Sequence, residues 1–329
     1  MKIFCFPHVV LYELMKDFEP PTLILLSFCS KKAHAFVKTF SITTRDLNIK
    51  LSSYEDEYSV SYPGHFLIHA ISKNEDRVDT LDLKTSHGWD FCFDEKGRLT
   101  ICCEDVVQEC QRATNYICDL FMVPVSTVSI RRETDLWLLD FVQRRQEQRL
   151  KRVCACHIRI SADTYSKIMS CDATECLDCG MLPSPNYQFD GKLPPVKHLN
   201  ITHGHWITRE QFLGLESPYT RLGAARLSSS DVNALLRSWL NGGLPNLKYL
   251  RLDQRTYDAQ IYENIHDRLE SVQGEIRYKW HELDHDQSYV KFTTNAFHIR
   301  RDDGVVATVM FDEGSLTMAV WPDLNGNRV

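Results

Sequence analysis

Cys176-Leu177-Asp178-Cys179 has the spacing of a metal-ligand pair, with Cys154, Cys156, His157 and Cys171 upstream. Thiolates and an imidazole so spaced could hold a structural zinc ion, but no second C-x-x-C or H-x3-H pair follows. The expectation is therefore no metal and no cofactor, with a zinc-containing enzyme kept as the minor alternative. His203-Gly204-His205 offers two further imidazoles, and a turn accounts for it equally well. Asp284-His285-Asp286 sets acid and base types side by side, yet neighbours on a strand face opposite ways, so a solvated loop is expected there. Glu55-Asp56-Glu57 reads as a surface turn. A P-loop, a G-x-G-x-x-G, a nucleophile elbow and an H-E-x-x-H are all missing, so no catalytic residue is predicted and the chain is not expected to be an enzyme.

The bulk numbers narrow the classes further. With 329 residues, 43% apolar and 25% charged, the chain has the composition of a folded protein. No stretch approaches the ~20 apolar residues of a membrane span, so no membrane partner is expected. A formal charge of -6 argues against nonspecific nucleic-acid binding. The one basic cluster, Arg144-Arg145 to Arg149, Lys151 and Arg152, is expected on the solvated face of a helix from about Glu133 to Arg152. Glu13, Lys16, Asp17 and Glu19 interrupt any secretory apolar core, so the thiols are expected reduced and the location cytoplasmic and/or nuclear. Cys92, Cys102, Cys103, Cys110 and Cys118 alternate with apolar residues as buried small hydrophobes would.

The elements that carry surface rather than chemistry begin at once. A first helix is predicted from about His8 to Phe18, since Pro7 suits a helix start and Glu19-Pro20-Pro21 ends it. A second covers about Pro21 to Phe28, and Ser30 can cap a third carrying Ala33, Phe36 and Val37. Helices this short are marginal alone. Val9, Val10, Leu11, Leu14, Met15 and Phe18 make a wider stripe than one core face requires, and Leu23-Ile24-Leu25-Leu26 is apolar all round. Such a surplus marks a docking surface.

This segment resembles an F-box. The family's Leu-Pro opening stands as Phe6-Pro7, its spaced apolar residues as Val10, Leu14 and Leu23, and its closing Val-Cys-basic-basic-Trp run as Cys29-Ser30-Lys31-Lys32-Ala33, with Ala33 where many members place tryptophan. The resemblance implies a Skp-type adaptor bound through Phe6, Pro7, Val10, Leu11, Leu14, Phe18, Pro20, Leu23, Leu26, Cys29, Ser30 and Lys31, and through it a cullin complex.

Farther on the pattern becomes short apolar alternations. Strands are predicted at LNIKLS, EYSVSY and HFLIHAI between Leu47 and Ile71, then VDTLDL, WDFCF and RLTICC between Val78 and Cys103, with a helix from about Glu104 to Phe121. Further segments recur at VSTVSI, CHIRIS, VKHLNIT, RLGAARLS and LKYLRLD, the last three roughly 25 residues apart, as in irregular leucine-rich repeats whose parallel strands form a curved α/β layer. Ser229 or Ser230 is expected to cap a helix carrying Val232, Leu235, Leu236 and Trp239, closed by Gly242-Gly243. EIRYKWHEL, SYVKFTTNAFHIRR, GVVATVMFD and SLTMAVW, with turns at Asp302-Asp303-Gly304 and Asp312-Glu313-Gly314, read as hairpins.

This half is similar to the type 2 F-box-associated domain known chiefly from nematode F-box proteins. Its motifs stand as His205-Trp206-Ile207-Thr208, Leu227-Ser228-Ser229-Ser230-Asp231-Val232-Asn233 with Leu236 and Trp239, then Leu247 and Leu250, and finally Ile299 to Thr308. The expected fold class is α+β: a three-helix F-box at 1–40, a strand-rich then helical middle at 41–185 that opens the repeat-like layer, the F-box-associated segment at 186–255, and β-hairpins at 256–329. The resemblance implies a substrate receptor of a Skp-cullin-F-box ubiquitin ligase, with an unknown target protein on the larger domain. A non-degradative F-box scaffold is the alternative.

Overall fold

The computed structural model describes residues 7–41, 47–54, 57–62, 65–73, 84–86, 88–93, 98–156, 159–253, 257–280, 288–312 and 314–321. Both helices and strands are prominent, an α+β chain. It divides into two compact units, Met1–Val153 and Cys154–Val329.

In the first unit, α1 (His8–Lys16), α2 (Pro20–Phe28) and α3 (Lys31–Ser41) are separated by the predicted breaks. Pro20 and Pro21 open α2, and the Ser30 hydroxyl accepts from the Ala33 N–H at 3.1 Å to start α3. These helices pack onto the rest of their unit. The Ser27 and Tyr116 hydroxyls lie 2.6 Å apart, and the Phe28 ring sits 5.4 to 5.8 Å from those of Tyr116, Trp89 and Phe91. Behind them run β1 (Ile49–Tyr54), β2 (Glu57–Tyr62), β3 (His65–Ser72), β4 (Lys84–Ser86), β5 (Trp89–Phe93), β6 (Leu99–Cys103), α4 (Val106–Phe121), β7 (Val125–Ile130), α5 (Trp137–Arg145) and β8 (Leu150–Ala155), the last containing the unit boundary. The strand order is β7-β1-β2-β3-β6-β5-β4, with β7–β1 and β3–β6 parallel and the other pairs antiparallel. Asp105 caps α4 by accepting from the Gln108 N–H at 2.9 Å, and the inner face of α4 buries Cys110, Ala113, Ile117 and Cys118.

The helix expected from Glu133 to Arg152 is shorter. A 3₁₀ turn at Glu133–Leu136 leads into α5, which stops at Arg145, and Leu150–Ala155 is a strand. Gln146 turns extended and uses its side-chain amide on the backbone N–H and carbonyl of Val125, both at 2.9 Å, while Leu150, Val153 and Ala155 are the buried residues of the strand that follows. The basic cluster is accordingly split. Arg145 donates to Asn115 at 2.8 Å, and Lys151 donates to Asn48 at 2.9 Å.

The second unit contains α6 (Ala162–Met169), β9 (Ala173–Cys179), β10 (His198–Ile201), α7 (Arg209–Leu213), β11 (Tyr219–Gly223), α8 (Ser229–Leu240), β12 (Tyr249–Asp253), β13 (Leu269–Ser271), β14 (Ile276–Trp280), β15 (Ser288–Phe292), β16 (Ala296–Arg300), β17 (Val306–Asp312) and β18 (Ser315–Trp321). Strands β9-β10-β11-β12 are parallel, and β18, β17, β16 and β13 extend the sheet antiparallel from β12. The β14–β15 pair is a separate antiparallel ribbon. On one face Leu177, Leu199, Leu222, Leu250 and Leu252 are buried, each stabilising the fold by roughly 1.5–3 kcal/mol. Burial there accounts for the x-L-x-L rhythm.

Local expectations shift in this unit. CHIRIS is no continuous strand: Arg159 bridges Leu182, and Ser161 caps α6. The cap of α8 is Ser228, in a capping box with Asp231, while Ser229 is buried and accepts from the Asp258 N–H at 3.1 Å. RLGAARLS is a strand only to Gly223, where Ala224 takes a φ of 48° and ends it. VDTLDL, Pro63-Gly64, Asn74 to Asp76 and Glu313 lie outside the described residues.

Candidate functional site

Helix α1 faces two ways. Leu11 and Met15 are buried and Tyr12 meets the Phe40 ring at 5.1 Å, whereas Val9, Val10 and Leu14 are 74%, 41% and 45% exposed. Pro7, Val10 and Leu14 follow at helical spacing, so they share one outward face. Of the residues assigned to adaptor binding from the sequence, Pro7, Val10, Leu14, Cys29, Ser30 and Lys31 are exposed and Phe18 and Leu26 half-buried. Leu11, Pro20 and Leu23 point into the unit, so their role is to hold the helices in place rather than to offer surface. Phe6 lies outside the described residues. Val9 is the exposed apolar side chain that the spacing argument left off the list.

The candidate metal ligands are not gathered. Cys176 and Cys179 are three apart on a strand and so face opposite sides of the sheet. Cys179 is hydrogen-bonded to Tyr165 of α6, while Cys176 is in register with His198 of β10. One ion cannot take both thiolates. Burial pushes the Cys179 thiol up to about 11 and the Cys171 thiol up to about 12, away from the thiolate a metal needs. Among the described residues, no group of three or more His, Cys, Asp or Glu side chains could hold a metal ion. His157 and Asp284-His285-Asp286 lie outside the described residues, as do Glu55 and Asp56. Glu57 is more than a turn residue, since its carboxylate meets His69 Nε2 at 2.9 Å on the neighbouring strand.

Loops after β10 and β11 close on each other. The Gly204 N–H donates to the Gly223 carbonyl at 2.8 Å, and a Cβ on Gly223 would lie 2.5 Å from the Thr202 carbonyl oxygen. Beside them is an open cleft of about 600 Å³, lined in part by Tyr187, Phe189, His205, Trp206 and Arg226, within the usual size of a ligand pocket. The Trp206 ring packs edge-on against Tyr165, Tyr187 and Phe189 at 5.5 to 5.8 Å. His205 Nε2 lies 3.1 Å from the Ser184 carbonyl and so carries the proton there. Desolvation, then the nearby His205, hold His203 below the ordinary histidine range.

The opposite face of the parallel strands is polar. Asp178, Asn200, Arg221 and Arg251 occupy one register row across β9 to β12, and Thr317 of β18 continues it. Asn200 Nδ2 donates to Asp178 at 2.8 Å. Arg221 Nε donates to one Asp253 oxygen at 2.8 Å and Arg251 Nε to the other at 2.7 Å. Burial opposes both charges of the Arg251–Asp253 pair, but their hydrogen bonds and mutual attraction outweigh it. Arg251 is raised and Asp253 held below the usual carboxylate range. The neighbouring row is Cys176, His198, Tyr219 and Tyr249. Its β12 end is covered by the β14–β15 ribbon, whose Tyr278 stacks on Tyr249 at 6.0 Å and donates to the Lys248 carbonyl at 3.2 Å. Part of the signal was present in the sequence: Asn200 and Arg251 are each the polar residue held between apolar neighbours in their β segments, whereas Arg221 follows Thr220.

Residues 193–252, from just before β10 to within β12, match a family model described as F-box associated, which supports an F-box-associated domain there. Among curated proteins and among solved structures, none matches this chain. No helix among the described residues is long and apolar enough to cross a membrane.

Proposed function

We propose that this chain is the substrate receptor of a Skp-cullin-F-box ubiquitin ligase, acting in the cytoplasm and/or nucleus. Helices α1 to α3 dock on a Skp-type adaptor and through it on the cullin, and the Cys154–Val329 unit holds a target protein. The observation that carries the reading is the F-box-associated match over residues 193–252, a domain class that typically binds substrates and performs no catalysis. The nematode type 2 domain has motifs similar to those of α8 and of the Ile299 to Thr308 stretch that turns from β16 into β17, and we read β9 to β12 as its leucine-rich-repeat-like layer.

The mechanism is proximity. A target held near a charged ubiquitin-conjugating enzyme meets it at a raised effective concentration, so the receptor supplies no catalytic group. The exposed Val9, Val10 and Leu14 support the adaptor end, since three exposed apolar side chains on a short helix, two of them on one face, cost solvation until a partner covers them. Co-expression with a Skp-type adaptor tests it. The native chain should co-purify with the adaptor, and the Val10→Asp, Leu14→Asp double variant should not, while keeping its far-ultraviolet circular dichroism. A folded wild-type chain that leaves the adaptor behind would refute the reading.

A further inference from the structure

The open half of the polar sheet face has a charge pattern that selects its ligand. Arg221 and Arg251 lie in register on adjacent strands, so their backbones are about 4.8 Å apart. Each spends its Nε–H on one oxygen of the same carboxylate, Asp253, and Arg251 is also hydrogen-bonded to Tyr249. Among the described residues, two guanidinium charges on β11 and β12 thus share a single carboxylate. The nearest other charge on the row, Asp178, is two strands away from Arg221 at roughly 10 Å and accepts from Asn200. Both arginines remain 40% and 36% exposed.

Guanidinium groups fixed in this way are pre-organised. The shared carboxylate has already removed much of the side-chain freedom that an incoming anion would otherwise have to freeze, and the planar fork matches a second carboxylate in two-point geometry. Asn200, Arg221 and Arg251 span about 10 Å, the length of about three residues of an extended chain. The β14–β15 ribbon walls this strip on the Tyr249 side, and the two arginines stand two residues farther toward the carboxyl ends of β11 and β12. We infer that this strip reads an acidic peptide segment of the target, with an Asp or Glu carboxylate over the Arg221–Arg251 pair.

The inference rests on the receptor reading, and its test is independent of the adaptor. A random-peptide phage library is panned on the immobilised full chain, and the selected peptides are synthesised for anisotropy titration. Enrichment of Asp and Glu is expected. Affinity should fall about tenfold in Arg221→Gln and in Arg251→Gln, and should weaken as salt rises from about 50 to about 300 mM. A merely structural role would lower the melting temperature of these variants without changing which peptides are selected. Peptides without acidic enrichment, or acidic peptides that bind both variants as tightly as wild type, would overturn the inference. Replacing the key Glu by phosphoserine separates the sources of negative charge, and a tenfold gain would overturn the carboxylate assignment in favour of a phosphorylated segment. Adaptor co-purification unchanged alongside a negative panning result would reject this strip while leaving the receptor reading intact.

Discussion

Leu14 and Leu23 carry the same side chain in neighbouring helices and opposite burdens. Leu23 is fully buried, so Leu23→Ala should cost about 2–5 kcal/mol in denaturant unfolding, whereas Leu14→Ser on the exposed face should stay within about 0.5 kcal/mol. Equal losses for the two would mean that α1 packs differently. The sequence showed that both positions were apolar but not which way each pointed, because an all-apolar stretch has no polar face to set its rotation. The cysteines were more legible. Alternation placed Cys102, Cys103, Cys110 and Cys118 inside, and burial there pushes the thiol up to about 12 in the first three and about 11 in Cys118. At pH 8 such groups are ionised to roughly one part in a thousand or less, so iodoacetamide should modify the exposed Cys29 in the native chain and reach these four only on unfolding, as read by peptide mass spectrometry. The linkage has a definite sign. Unfolded thiols ionise near 9.0 and the folded ones well above it, so this contribution to stability is complete below about pH 9 and is lost as pH rises toward 12. The melting temperature should therefore decline on the alkaline side of pH 9.

Among elements, strands whose buried face alternates with an open one were readable, and so were helices bounded by proline or glycine. EYSVSY and WDFCF became β2 and β5 with the predicted limits, because apolar side chains two apart leave little choice of register. Strand β9 escaped because Glu175, Cys176, Asp178 and Cys179 resemble a ligand cluster more than an apolar run. Its buried residues, Ala173, Cys176, Leu177 and Cys179, keep no single period. The end of α5 escaped for a different reason: Gln146 leaves the helix to pair with Val125, a residue distant in sequence, and no local signal announces that. Cap identity lies between these cases. Three consecutive serines all suit a helix start, and only the reciprocal bond with Asp231 selects Ser228. Ser228→Ala should cost about 1 kcal/mol in equilibrium unfolding and Ser230→Ala, at an exposed position, should be near neutral. The reverse ranking would move the cap to the position expected from sequence.

At the scale of the molecule, the receptor role proposed for this chain makes it a thermodynamic bridge, and its two ends should then be separable by mutation. The exposed face of α1 and the Arg221–Asp253–Arg251 bridge share no residue and belong to different compact units. Substitutions without shared partners add, so Val10→Asp with Leu14→Asp should remove adaptor binding and leave acidic-peptide affinity unchanged, and Arg251→Gln should do the converse. Catalytic output is a different quantity from either affinity. Ubiquitin transfer to a tethered acidic peptide depends on both ends being held at once, so losing either should reduce the rate by roughly the 10²–10⁴-fold that tethering supplies. The quadruple comparison of wild type, each end alone and both together in a reconstituted transfer assay decides the point. If the two defects multiplied rather than each abolishing the same tether, the ends would be contributing separately to chemistry, and a proximity mechanism would not describe this protein.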